Sequence, residues 1–232
     1  MISSRSLAFL DSKQNRPNHI SHHLSDDGSS TLYSDLYQAH YHSTHGAIQE
    51  SMHIFINHGL NAQTVNPIDI LEYGLGTGLN LYLTAKYCAN RQVNYKSLEL
   101  HPIQDSLLTQ LNYTETDEDS RLFNQIHGSS WGTWHQLTED FAYYKANMKF
   151  ENYHPVGSYD LILYDAFAPS SQEHLWNVDM MTICYKALKK DGFLITYCAK
   201  GSFKRALKEV GFEVISLPGP PGKREMTKAV KS

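Results

Sequence analysis

Cysteine is scarce in this chain of 232 residues, which contains only Cys88, Cys184 and Cys198 and no CxxC pair. That excludes a disulfide framework and a cysteine-built zinc site, and it suits buried thiols in a reducing compartment. No apolar run approaches the ~18 residues a membrane span requires. The opening Met1-Ile-Ser-Ser-Arg-Ser lacks the apolar core of a signal peptide. The cytoplasm is therefore the expected compartment, with no membrane partner. Overall positive charge is missing too, since the formal net charge is −4. That total hides an asymmetry. From Lys186 onward the chain carries 11 Lys and Arg against Asp191, Glu209, Glu213 and Glu225, or +7, which leaves −11 for everything before it. A basic C-terminal quarter on an acidic body predicts one face that meets phosphates.

Apolar residues make up 41% of the chain, enough for a real core at a length that suits one α/β domain. The most informative stretch is Ile70-Leu-Glu-Tyr-Gly-Leu-Gly-Thr-Gly-Leu-Asn-Leu81. A short apolar strand ends at the acid Glu72, passes through Gly74, Gly76 and Gly78, and enters a helix-forming run. Glycines allow a tight turn and close backbone approach by a ligand. A dinucleotide fingerprint would place glycine where this chain has Leu79. The E-x-G-x-G-x-G pattern points to S-adenosylmethionine as the cofactor.

Around the loop the chain alternates. Strands are expected over 68–73, 93–100, 123–127, 159–165 and 193–198, with a further strand over 141–146. Helices are expected over 79–89, 103–112, 176–189 and 202–210, and segments 212–217 and 224–230 form a closing antiparallel hairpin. This predicts an α/β fold, a doubly wound, Rossmann-like, mostly parallel seven-stranded sheet. Residues 1–28 are expected to form a flexible arm and 29–232 the catalytic domain, with 29–66 as an extension packed on it. Within that extension, Ile48, Met52, Phe55 and Ile56 fall on one helical face.

Ligands of such sheets lie beyond the carboxyl ends of the strands. Glu99 closes the second strand, 25 residues past Gly74, a spacing that suits a carboxylate accepting both ribose hydroxyls of an adenosine. Asp165 closes another strand in Asp165-Ala-Phe-Ala-Pro169, a carboxylate placed to hold or deprotonate an amine, or simply to cap the next helix. Lys200, Lys204, Arg205, Lys223 and Arg224 sit in basic loops beside the strand ends and suit phosphate contact. His40, His42 and His45 are close in sequence, but no cysteine or compact acidic partner completes a metal site, and none is expected.

Several motifs together resemble the methyltransferase domain of the bacterial tRNA wobble-uridine enzymes MnmC and MnmD. They are Tyr41-His-Ser-Thr-His-Gly-Ala-Ile-Gln-Glu50, Glu72-Tyr-Gly-Leu-Gly-Thr-Gly-Leu-Asn80, Ser97-Leu-Glu-Leu-His-Pro102, Asp165-Ala-Phe-Ala-Pro169 with Trp176, Thr196-Tyr-Cys-Ala-Lys-Gly201 and Gly219-Pro-Pro-Gly-Lys-Arg-Glu-Met226. The resemblance implies a class I S-adenosylmethionine methyltransferase that acts on 5-aminomethyl-(2-thio)uridine in tRNA. It implies cofactor contacts at Tyr41, Glu72, Gly74, Gly76, Thr77, Gly78, Asn80 and Glu99, acceptor contacts at Phe167 and Pro169, and Asp165 as the acid that holds the amine. The family's adenine-contacting acid is missing, and Asn147 is the stand-in. The fused oxidoreductase domain of some members is not expected, and a monomer is. Methylation of a small amine and a catalytically idle nucleotide- or RNA-binding module are the competing readings.

Overall fold

A computed structural model describes residues 19–232. The chain opens with a small antiparallel sheet, β1 (Ile20–Leu24), β2 (Ser30–Ser34) and β3 (Ala39–His40). The first eighteen residues of the expected arm lie outside the described residues, but its remainder differs from expectation. Residues 20–24 pair in register with 30–34. The strand sequence Ile-Ser-His-His-Leu is too polar to show a hydropathic period, so pairing with the buried Thr31 and Leu32 is what orders it. Next come α1 (Ala47–Ser51) and, without a break, a π-helical turn over Met52–Asn57. The wider turn rotates the apolar face, so Ile54, Phe55 and Ile56 are all buried while Ile48 and Met52 only border the core.

The main sheet comprises β4 (Ile68–Tyr73), β5 (Val93–Glu99), β6 (Trp134–Thr138), β7 (Phe141–Asn147), β8 (Tyr159–Tyr164), β9 (Leu188–Thr196), β10 (Glu213–Pro218) and β11 (Glu225–Val230). Its order is β10-β11-β9-β8-β4-β5-β7-β6. The five central strands are parallel; β6 and β11 run against them, and β10, antiparallel to β11, runs in their direction at the far edge. The sheet has eight strands where seven are expected, and one of them, residues 134–138, is an unexpected edge strand on β7. The chain steps from β4 outward to β5 and then returns to β8 on its other side. β4 is thus the topological switch point, and a crevice opens at its carboxyl end.

Helices cover both faces. On one side α2 (Leu79–Tyr87), the π turn and α4 (Asp117–Gly128) pack with Ile54, Leu81, Tyr82 and Phe123, and a single turn, α3 (Asp105–Leu108), is all that forms of the helix expected at 103–112. On the other side α5 (Val178–Ala187) and α6 (Gly201–Val210) pack Met181, Cys184, Phe203 and Leu207 onto β8 and β9. Every residue of β8 is buried, as a strand covered on both faces must be. Trp176 lies in a separate 3-10 turn, Glu173–Trp176, before the Asn177 side chain caps α5. The three cysteines are free and buried, and no helix among the described residues is long and apolar enough to cross a membrane.

One expected element changes type. Residues 123–127 lie inside α4, not in a strand. The Thr116 hydroxyl accepts the Asp119 N–H at 3.1 Å, and Asp117, Glu118 and Asp119 place negative charge in the first turn. Phe123 and Ile126, three residues apart, then share the buried face. The third parallel strand is β7 instead. Phe123 is 5% exposed and meets the rings of Tyr82 and Tyr113 edge-on. Phe123→Ala is expected to cost about 3 kcal/mol, read as a lowered urea midpoint; a midpoint within error of wild type would contradict this packing.

Candidate active site

The site is built at the carboxyl ends of β4, β5 and β8. Gly74 leaves β4 with φ 99°, and the amides of Gly74 and Leu75 both donate to the Leu98 carbonyl at 3.0 and 3.2 Å. A Cβ on Gly74 would lie 2.6 Å from the Asp165 carbonyl oxygen, so only glycine lets the β4 and β8 ends approach this closely. A Cβ on Gly78 would strike the His127 ring at 2.7 Å, so this third glycine serves packing of the loop on α4. Burial and Lys145 hold His127 neutral, with its pKa lowered to about 4.

Glu99 stands opposite the loop. One carboxylate oxygen accepts the Gly76 N–H at 3.1 Å and the other the His101 N–H at 2.8 Å. Each oxygen keeps a lone pair, so the group can still accept two hydroxyls. A cavity of about 490 Å³ runs from Glu99 past Gly76 and Tyr41 to Asp165. Phe167 stands in its wall, stacked on Tyr37 at 4.4 Å and met edge-on by Tyr41 at 4.9 Å. Burial, reinforced by Glu99, pushes the Tyr37 hydroxyl up to about 12. His42 closes the wall behind Tyr41, with Nε2 2.6 Å from the Thr77 hydroxyl.

Asp165 defines the other end. Its N–H donates to the Tyr73 carbonyl at 2.9 Å, and its Oδ2 accepts the Asn80 amide at 2.9 Å. Burial pushes its carboxyl up to about 7, the Glu50 carboxylate acts in the same direction, and Asn80 and Lys223 pull it back. Glu50 accepts the Ser43 N–H at 2.8 Å and is ion-paired with Lys223. The Lys223 ammonium also lies 4.2 Å from the centre of the Tyr197 ring. Behind Asp165, Glu72 is wholly buried, and burial pushes it up to about 8 against the Ser97 hydroxyl that donates to it at 2.6 Å.

The structure brings Gly74, Gly76, Glu99, Tyr41, Asp165, Phe167 and Lys223 to one cavity. Glu72, Thr77, Gly78 and Asn80 lie buried behind the loop. Asn147 falls elsewhere. It is exposed at the end of β7, and its amide donates to the carbonyls of Glu99 and Leu100 at 2.9 and 3.0 Å. Glu151, beyond the end of β7, reaches the cavity wall instead, paired with His174 at 3.4 Å. Lys223 turns inward to Glu50, and Lys204 is bound to Glu225 and Ser216. Lys200, Arg205 and Arg224 are exposed, Lys200 and Arg224 on a shallow groove next to Tyr197, and Pro169 lies outside the cavity wall. Sequence reasoning passed over Tyr37, Glu50 and Glu151; Glu50 alone carried a signal, an acid inside the stretch 41–50 on a helix otherwise reading as apolar. His42 and His45 make hydrogen bonds to Thr77 and Asp26, and no cluster of metal-binding side chains occurs among the described residues.

These residues fit S-adenosylmethionine. The Gly74–Asp165 approach leaves the loop backbone bare, Glu99 has free acceptor capacity, aromatic rings line the middle, and the volume is that of a small-ligand site. Fold and site together suit a methyl donor of this kind. Residues 136–232 match the family model described as S-adenosyl-L-methionine-dependent methyltransferase. Over 221 residues the chain is 29% identical to the tRNA 5-methylaminomethyl-2-thiouridine biosynthesis bifunctional protein MnmC of Burkholderia multivorans, covering 87% of this chain and 33% of that one. The MnmC of Cupriavidus necator is 28% identical over 214 residues, covering 85% and 32%. The chain thus spans about a third of the length of these curated relatives. Among solved structures, MNMC2 from Aquifex aeolicus shares the fold with a TM-score of 0.77 at 20% identity, covering 99% of this chain and 77% of that one. Spermidine synthase from Thermotoga maritima shares it more loosely, at 0.57 and 17%, covering 91% and 72%.

The Asp165 environment has a consequence for stability. Near pH 4 its carboxyl is neutral in the folded chain and half-neutral when unfolded. As pH rises toward about 7, the unfolded chain ionises first and this group's contribution to stability is lost. Asp165→Asn removes that loss. Its urea midpoint relative to wild type should rise between pH 4 and pH 8; a difference independent of pH would show that Asp165 is ionised throughout.

Proposed function

We propose that this chain transfers a methyl group to the primary amine of 5-aminomethyl-(2-thio)uridine at the wobble position of tRNA, giving the methylaminomethyl nucleoside in the cytoplasm. The observation that carries the reading is Asp165, a carboxylate at the end of β8 that reaches the same cavity as the glycine loop and Glu99. The names of the MnmC relatives support the acceptor, and the exposed Lys200 and Arg224, on a groove that shares Tyr197 and Lys223 with the cavity, support an RNA scaffold.

When bound, S-adenosylmethionine supplies an electrophilic methyl group on a sulfonium. Glu99 would hold its ribose hydroxyls, with Tyr41 and the glycine loop forming the wall beside it. Asp165 would orient the acceptor amine with its lone pair toward the methyl and take the proton that the nitrogen gives up; the new C–N bond would form as the methyl–sulfur bond breaks, with the neutral thioether as leaving group. A carboxyl with a pKa near 7 suits this task, because it is largely ionised at working pH yet basic enough to accept. Phe167 and Tyr37 offer ring faces to a flat base at the mouth.

Mass analysis of tRNA nucleosides from a strain lacking the gene should show aminomethyluridine accumulating; unchanged methylaminomethyluridine would refute the assignment. With purified protein, Asp165→Ala should lower turnover by roughly 10²–10⁴-fold while calorimetry finds affinity for S-adenosylmethionine within about threefold of wild type. Equal loss of both would move Asp165 to the cofactor side. Turnover should rise with pH to a plateau above about 7. Glu50→Gln, which removes a neighbouring negative charge, should move that inflection down, and Lys223→Met should move it up.

A further inference from the structure

Behind the cavity, three buried polar atoms have no hydrogen-bond partner: Glu72 Oε1, Asn80 Oδ1 and the Tyr95 hydroxyl. They belong to one cluster, since the Asn80 and Tyr95 side chains both bear on the Glu72 carboxyl. Glu72 and Tyr95 are 0% exposed and Asn80 is 2% exposed. Glu72 is the cross-strand neighbour of Ser97, whose hydroxyl satisfies one of its oxygens. The groups facing Glu72 are Ser97 and Tyr95 from β5, Asn80 from α2 and Asp165 from the end of β8; none is a cation. No ion pair among the described residues includes Glu72.

The donors and acceptors can be matched in only one economical way. An ionised Glu72 would be a buried charge facing a second carboxylate, and even with the Ser97 and Tyr95 hydroxyls donating to it Asn80 Oδ1 would be left without a donor. A neutral Glu72 carries one O–H, and Asn80 Oδ1 is a buried acceptor in want of a donor. The amide end of Asn80 is already committed to Asp165 Oδ2 at 2.9 Å. We propose that Glu72 stands as a neutral carboxylic acid whose O–H is given to Asn80, and that it thereby acts as a positioning residue which fixes the Asn80 amide toward Asp165. One Asp165 oxygen is then tethered and the other is left for the acceptor amine. Glu72 does not touch the cavity, and it contributes through Asn80 rather than by contact with the cofactor. The functional part of this inference rests on Asp165 being the acceptor-facing acid.

Carbon-13 NMR of the full chain with labelled Asp and Glu carboxyls tests it without acceptor or RNA. Resonances are assigned with Glu72→Gln and Asp165→Asn. In the wild type the Glu72 carboxyl is expected to be protonated at pH 7; an ionised signal there overturns the proposal. Glu72→Gln replaces one neutral group by another, so the Asp165 titration midpoint should stay in place. A fall in that midpoint would mean that an ionised Glu72 had been repelling Asp165. Asn80→Leu should raise it by roughly half a unit or more, and no change would break the link through Asn80. In methyl transfer, Glu72→Gln should retain at least about tenfold more turnover than Glu72→Leu, with matched affinity for S-adenosylmethionine; equal losses would leave only a structural role. Because the titrations need no substrate, they stand even if the acceptor proves to be something other than tRNA.

Discussion

The contact between Gly74 and the carbonyl of Asp165 is the constraint on which the site depends. Strands β4 and β8 are neighbours in register up to Tyr73 and Tyr164, and the next hydrogen bond, Asp165 N–H to the Tyr73 carbonyl, carries their pairing one residue past the strands. There the two chains must diverge, one into the loop and one toward α5. With 2.6 Å between a hypothetical Cβ and a carbonyl oxygen, any other residue at 74 would force the strand ends apart. The cavity would widen between its two functional halves, separating Glu99 from Asp165. Alignment of donor and acceptor, which supplies much of the rate in a displacement, is therefore set by backbone before any side chain acts.

The same closeness creates the electrostatics. Glu50, Glu72 and Asp165 come from a helix in the N-terminal extension, a central strand and a strand end, and they converge within mutual influence while Lys223 is the cation that Asp165 feels. Lys223 satisfies Glu50, and that leaves two acids to share a poorly solvated region. Such a pair lowers its energy by holding a proton. Glu72, deeper and without a cation, is the one that keeps it, whereas Asp165, open to the cavity, is poised near neutrality. Environments that push two like groups apart in this way divide a supporting role from a chemical one.

The glycine loop, Glu99 and Asp165 were legible because each is local: a residue type at a strand end, readable once the strand is found. The strands themselves were readable where burial on both faces wrote a continuous apolar run, as in β4 and β8. What escaped depended on partners distant in sequence. The strand β1 is polar and exists through pairing with β2, and the apolar pair Phe123 and Ile126 marks a helix only once the Thr116 cap and the acidic first turn of α4 are seen. Tyr37 and Glu151 reach the cavity from loops with no motif. Asn147 failed for an instructive reason. It closes β7, but its amide is consumed by the Glu99 and Leu100 carbonyls, so it braces the backbone beside Glu99.

The inward turn of Lys223 also revises how the basic C-terminal quarter works. Its excess charge had pointed to a uniform phosphate-binding face, yet Lys223 and Lys204 are neutralised by Glu50 and Glu225. The exposed Lys200 and Arg224 line a shallow groove that meets the cavity at Tyr197 and Lys223, at its rim rather than its floor. A cavity lined by acids and rimmed by exposed cations separates two attractions that would otherwise compete. Phosphate oxygens are drawn to the rim and kept from the floor, whereas an amine is drawn inward to Asp165. An acceptor that joins an amine to a polyanionic backbone satisfies both at once, and a free polyamine would be repelled by the rim it has to cross. This division of charge, more than the net basic count, is what favours an aminomethylated RNA over a small amine.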